Sequence, residues 1–256
     1  MRHGEREKSM KLLERIKAYA PFVCDLRNKH ITDDLMSGRA GYLYSLLYVY
    51  KHIEFQKIIT VEIIRNVLDA IIKSGKQQAA KANIPNLPLV YLNYDIVKEG
   101  KLFLGSLYGM CGIIYMLLQV IARALKVHDL PLSVLSNRPG QSGPLLQAQR
   151  CLSTEEYDME IKPTIMFIIS KKFQSGNYPV SDAEMSESSD CLVQWCHGAP
   201  GMLMLFSFAY IIYSSDKKSS ELFLKEAKDC ADVIWERGMV LKSYGLCHGV
   251  AGECYN

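Results

Sequence analysis

Four times in this chain a Gly-x-x-Gly quartet opens an apolar run: Gly38-Arg-Ala-Gly41, Gly109-Met-Cys-Gly112, Gly198-Ala-Pro-Gly201 and Gly249-Val-Ala-Gly252. The quartets start 71, 89 and 51 residues apart, and the longest interval contains a polar insertion. An amphipathic stretch follows the first quartet over Thr60 to Ile72, with Val61, Ile64, Val67, Leu68 and Ile71 at helical spacing. Another follows the third over Ser219 to Arg237, with Leu222, Leu224, Ala227, Ala231, Ile234 and Trp235, ended by Gly238. Strand-like alternation is almost absent. The pattern predicts an all-α chain of repeated helical hairpins. Each has an inner apolar helix and an outer amphipathic one, and neighbours must stack to bury their faces.

The segments between fit this scheme. Residues 9–28 predict an amphipathic helix, and Ser74-Gly75 is a stop for the helix that begins at Thr60. Asn83 to Asn93, with Pro85 and Pro88, is a connector, and Leu102 to Leu125 reads as a core helix. Residues 128–157 carry Pro131, Ser133, Ser136, Asn137, Pro139, Gly140 and Pro144, which predicts a disordered surface insertion. Helices are expected from about Glu156 to Lys171, with Pro163 in the first turns, and over 201–213. The unit is one partial domain over residues 1–256.

A net charge of +3, with basic residues scattered, gives no case for nucleic acid. No apolar run is long and clean enough to span a bilayer. Eight cysteines spread through 256 residues, behind a charged start without a signal-peptide core, predict reduced thiols in the cytoplasm.

The third and fourth quartets are special. Val193-Gln-Trp-Cys-His-Gly-Ala-Pro-Gly-Met202 and Ser243-Tyr-Gly-Leu-Cys-His-Gly-Val-Ala-Gly252 share Cys-His-Gly-x-x-Gly. Adjacent residues point about 100° apart on a helix, so a Cys and its neighbouring His converge on one metal only from a turn. Two such turns offer up to four soft and borderline donors, a set that suits zinc. Four bound donors would make a closed structural site, and three would leave a position for water or a thiol. Spacing alone does not choose between them. The plainer reading makes the cysteines small buried thiols beside capped histidines.

These motifs resemble those of the eukaryotic lanthionine synthetase C-like proteins. So do Ser175-Gly-Asn-Tyr-Pro179, Cys230-Ala-Asp-Val-Ile-Trp235 and Gly38-Arg-Ala-Gly-Tyr-Leu-Tyr44, and the resemblance spans roughly residues 30–256. It implies an α/α toroid, a double-layered barrel of seven helical hairpins with one zinc at its inner end. It also implies Cys196, Cys247 and His248 as the zinc ligands, with His197 left out. Bacterial relatives close thioether rings by adding a peptide cysteine to dehydroalanine or dehydrobutyrine. The eukaryotic members are associated with glutathione, added to dehydroamino acids left in proteins when phosphoserine or phosphothreonine loses phosphate. Lys242 matches a lysine that the family places beside the site, where it would steady enolate or phosphate charge. Some members associate peripherally with the plasma membrane, but Arg2 stands where myristoylation needs glycine, and Cys254 lies too near the end for a prenylation box.

The chain departs from the family pattern in three places. Tyr108, within Gly105-Ser-Leu-Tyr-Gly-Met-Cys-Gly112, stands where the family has a histidine proposed as acid or base. A phenol, which ionises near about 10 in model compounds, can donate a proton but is a poor base at neutral pH. Leu192 stands where the ring-closing bacterial enzymes carry arginine, which argues against ring closure rather than thiol addition. Four of the seven expected quartets are present, so the chain reads as a fragment or truncated member. The alternatives to thiol addition are a catalytically silent member that binds glutathione or a protein, and a structural zinc module.

Overall fold

A computed structural model describes residues 3–52, 58–124, 154–239 and 244–255. Along the described residues the elements are α1 His3–Ala18, α2 Ala20–Cys24, α3 Arg39–His52, α4 Val61–Ala82, β1 Leu92–Asn93, β2 Lys101–Leu102, α5 Met110–Ala124, α6 Thr154–Ile169, α7 Ala199–Ile212, α8 Lys217–Arg237 and α9 Val250–Tyr255. The fold is all-α except for the small antiparallel pair β1–β2, with Leu92 opposite Leu102.

The helices form two layers. In the inner layer α3 packs on α5 and α5 on α7, and each is backed by its own outer helix, α4, α6 or α8. This is the layered hairpin arrangement of an α/α toroid. Inner α7 is apolar nearly all round, as a helix between two neighbours must be. Outer α4 is two-sided: Ile64, Val67, Leu68 and Ile71 are buried while its opposite face is polar. Leu43, Leu46, Leu68, Ile113, Leu205, Phe206 and Phe223 lie fully buried between the layers. Burying each such side chain contributes about 1.5–3 kcal/mol.

Polar contacts tie the outer helices to one another. The Tyr157 hydroxyl on α6 donates to Asp69 on α4, and Lys76 of α4 is ion-paired with Glu160 of α6. Lys162 of α6 reaches Asp216, whose carboxylate caps the start of α8 by accepting from the Ser219 amide. Lys172, just past α6, bridges Glu226 and Asp229 of α8.

Three boundaries differ from the sequence expectation. Helix α4 runs through Ser74-Gly75 to Ala82 and stops at Asn83, a left-handed cap with φ of 51°. Gly75 is there for packing: an added Cβ would lie 2.7 Å from the Tyr91 ring. The expected helix over Leu102 to Leu125 starts only at Met110, because the quartet needs a folded loop before it. The helix expected over residues 9–28 breaks between Ala18 and Ala20, before Pro21 at the start of α2. In addition, Pro163 sits in the middle of α6 rather than in its first turns. The second inner helix is also backed by an outer helix, α6, although the amphipathic stretches of the sequence follow only the first and third quartets. Most of the 128–157 insertion lies outside the described residues, as does Lys242. No helix among the described residues is long and apolar enough to cross a membrane.

Candidate metal centre

The quartets share a local construction that explains their glycines. The second glycine of each presses on the residue six positions before it. An added Cβ would lie 2.3 Å from the Leu35 oxygen at Gly41, 1.9 Å from the Ser106 oxygen at Gly112, 2.5 Å from the Trp195 oxygen at Gly201, and 2.1 Å from the Leu246 oxygen at Gly252. The chain before each inner helix therefore folds back beneath the helix start, and only glycine leaves room for it.

These four loops stack side by side at one end of the inner layer. The Leu35 amide donates to the Leu107 carbonyl at 3.1 Å, which joins the first loop to the second. Gly105 of the second loop lies so close to the third that an added Cβ would be 2.1 Å from the Cys196 oxygen. The Cys196 amide donates to the Cys247 carbonyl at 3.1 Å, which joins the third to the fourth. Counting back from the quartets, Met36, Leu107, Cys196 and Cys247 occupy equivalent positions, and so do Ser37, Tyr108, His197 and His248. The last two loops thus set cysteine where the first two set an apolar side chain.

Where the third and fourth loops meet, ligand atoms of Cys196, Cys247 and His248 lie within 4.8 Å of one another. Cys196 is buried, Cys247 is half-buried and His248 is exposed, so the cluster opens to solvent on the histidine side. Two sulfurs and one imidazole nitrogen match the three-protein-ligand pattern of zinc sites that keep an open position. The chemistry of the donor set fits zinc. His197 is not in this cluster. Its main chain pairs with Gln194 in a tight turn, and its ring lies 6.4 Å from that of Phe103. The plainer reading of the cysteines as core thiols suits Cys111 and Cys230 instead. Burial pushes the Cys111 thiol up to about 12, against a hydrogen bond with Ser106, and drives Cys230 well above its ordinary range. Cys24, Cys111, Cys191, Cys196, Cys230 and Cys247 are free thiols.

Tyr108 is half-buried in the second loop, on the same turn as Gly105, which abuts Cys196. Leu192 opens the third loop, its carbonyl facing Gly198. Beside the loop row lies a largely apolar cavity of about 720 Å³, lined by Phe22, Met36, Tyr42, Tyr44, Leu107 and Trp195 among others. Trp195, one of its lining residues, immediately precedes Cys196 in the chain.

Comparison with known proteins agrees with this construction. The sequence profile of lanthionine synthetase C-like proteins matches residues 2–131 and 140–256. A relative from Danio rerio, glutathione S-transferase LANCL1, is 30% identical over 252 residues, which cover 98% of this chain and 52% of the relative. The chain thus spans about half the length of that relative.

Proposed function

The chain belongs to the lanthionine synthetase C-like family, and on that premise we propose that it adds glutathione to dehydroalanine or dehydrobutyrine in proteins at a zinc centre. The observation that carries this reading is the convergence of Cys196, Cys247 and His248 on one solvent-facing point. The printed name of the relative, a glutathione S-transferase, supports glutathione as the thiol. Zinc bound there would hold a thiol as thiolate at neutral pH, making it a usable nucleophile.

The addition balances without any other reagent. The thiol sulfur bonds to the β-carbon of the dehydroamino acid, the double-bond electrons move toward the carbonyl, and a proton returns to the α-carbon. Cys196, buried and held through its amide to Cys247, fixes the donor set. Exposed His248 leaves the approach open. Tyr108 is assigned the proton delivery to the α-carbon, since a phenol donates at neutral pH. Lys242 is assigned the cation that opposes enolate or phosphate charge. The cavity that Trp195 helps to line is suited to the polypeptide on either side of the dehydroamino acid.

Tyr108 also favours a second reading, in which the site binds glutathione and a modified protein without turnover. Incubation with glutathione and a dehydroalanine peptide separates the two. The first reading predicts a peptide heavier by one glutathione, with product lost in Cys247→Ala and reduced at least tenfold in Tyr108→Phe. Glutathione binding with no product would support the second reading, and neither binding nor product would sink both.

A further inference from the structure

The third loop does not close as the first two do. In the first, the amide of Arg39, at the start of α3, donates to the carbonyl of Thr32, seven residues back, at 2.9 Å. In the second, the Met110 amide donates to the Phe103 carbonyl, also at 2.9 Å. The bonds one step on repeat this, Ala40 to Asp33 at 3.2 Å and Cys111 to Leu104 at 3.0 Å. In the third loop the equivalent of Ala40 is Pro200, which has no N–H to give. The equivalent of the Arg39 bond, from Ala199 to Leu192, is replaced by a side chain. Asn177 Oδ1 accepts from the Ala199 amide at 2.8 Å, while its Nδ2 donates to the Leu192 carbonyl at 3.0 Å. A carboxamide is wedged into the gap that the backbone closes elsewhere.

The widened loop differs in conformation as well. Gly198 takes φ of +99°, where Gly38 and Gly109 do not adopt a positive φ, and an added Cβ there would sit 2.8 Å from Asn177 Oδ1. Residues 194–197 form their own turn: the Gln194 amide donates to the His197 carbonyl at 2.8 Å, and the His197 amide to the Gln194 carbonyl at 3.0 Å. Cys196 lies in this turn.

Asn177 is itself held. It has no exposed surface, and its Nδ2 also donates to Asp190 Oδ1 at 2.7 Å. Arg237 grips Asp190 with Nη1 on Oδ2 at 3.0 Å and Nη2 on Oδ1 at 3.1 Å, and Ser175 adds a third donor. Burial opposes ionisation of Asp190, but these donors outweigh it and hold its carboxyl below the ordinary carboxylate range. Arg237 is the last residue of α8, ten residues before Cys247. One chain of contacts, Arg237 to Asp190 to Asn177 to Ala199, thus links the helix that precedes the fourth loop to the turn that carries Cys196.

We propose that Asn177 is a positioning residue for the metal centre. In this role it sets the Cys196 turn against Cys247 and His248, and the Asp190–Arg237 pair locks it in place. The inference rests on the zinc reading of those three residues. Partners that orient metal ligands typically change metal affinity 10- to 100-fold when lost.

The test is zinc affinity by chelator competition, together with the visible spectrum of the cobalt-substituted protein. Asn177→Asp keeps the acceptor for Ala199 but sets a carboxylate against Asp190 and the Leu192 carbonyl. It is expected to weaken zinc binding about tenfold or more and to alter the cobalt spectrum. Adding Asp190→Asn restores a donor between the two positions and is expected to recover most of the loss. Arg237→Gln alters only the half-exposed end of the chain of contacts, so it carries the test if Asn177→Asp does not fold; a severalfold loss is expected. Zinc affinity and a cobalt spectrum like those of the wild type in the folded variants would overturn the positioning role alone. A folded wild type that binds no zinc would overturn the zinc reading and this inference with it.

Discussion

Gly105 has no chemistry of its own, yet the candidate metal centre depends on its missing side chain. It allows the second loop to lie against the third, where a Cβ would be 2.1 Å from the Cys196 oxygen and 3.0 Å from His197 Nδ1. Gly105→Ala must displace the Cys196 turn from its present register against Cys247. The expected cost is about 1–3 kcal/mol, as for other overpacked sites, with zinc affinity down by at least tenfold. A thermal melt and a zinc titration check both, and unchanged zinc affinity would contradict this use of the glycine. Residues of this kind were only half legible in the sequence. Cys196, Cys247 and His248 announce themselves because the same hexapeptide pattern occurs twice. Asn177 belongs to a quoted motif, yet its task depends on Ala199 and Leu192, which reach it only through tertiary folding. The equivalence of Tyr108 with His197 and His248 can be counted in the sequence, since each immediately precedes the first glycine of its quartet, but the contact between the loops that carry them cannot.

At the level of helices, ion pairs tie the outer helices to one another. Lys172 lies between Glu226, which is 3% exposed, and Asp229, and the Tyr178 hydroxyl also donates to Glu226 at 2.9 Å. Burial pulls Lys172 down, but the two carboxylates outweigh it and hold its ammonium above its ordinary range. Burial likewise opposes ionisation of Asp229, yet Lys172 and Lys225 bring it below the ordinary carboxylate range. The signs define a plateau. The Asp229 contribution is present above about pH 4 and is lost as pH falls through its depressed value, whereas the Lys172 contribution is present below about pH 10 and is lost as pH rises through its raised value. Lys172→Met leaves buried Glu226 with only the longer cationic contact, to Lys225 at 3.9 Å, and is expected to cost about 3 kcal/mol at pH 7. Its stability against pH, followed by denaturant unfolding, should be flatter than that of the wild type at both ends. A loss below about 0.5 kcal/mol would place the pair among surface ion pairs of little weight. Helix periodicity located these outer helices well, because one face of each is apolar. It misplaced the end of α4, since a glycine that makes room for Tyr91 and a glycine that ends a helix look alike until the partner is in place.

For the whole molecule, the rhythm of the quartets was enough to foresee stacked helical hairpins, since apolar helices of this kind are stable only against neighbours. It did not foresee that the loops before them form a row of their own, with the Cys196, Cys247 and His248 cluster at the joint between its last two members. That joint depends on backbone contacts between distant segments, the Cys196 amide with the Cys247 carbonyl above all. We propose this joint as a working zinc site in a chain that spans about half the length of its Danio rerio relative. Zinc content per purified, folded chain, wild type beside Cys247→Ala, decides it. About one zinc is expected in the wild type and none in the variant. A folded wild type without zinc, or a Cys247→Ala chain that keeps it, would overturn the proposed site.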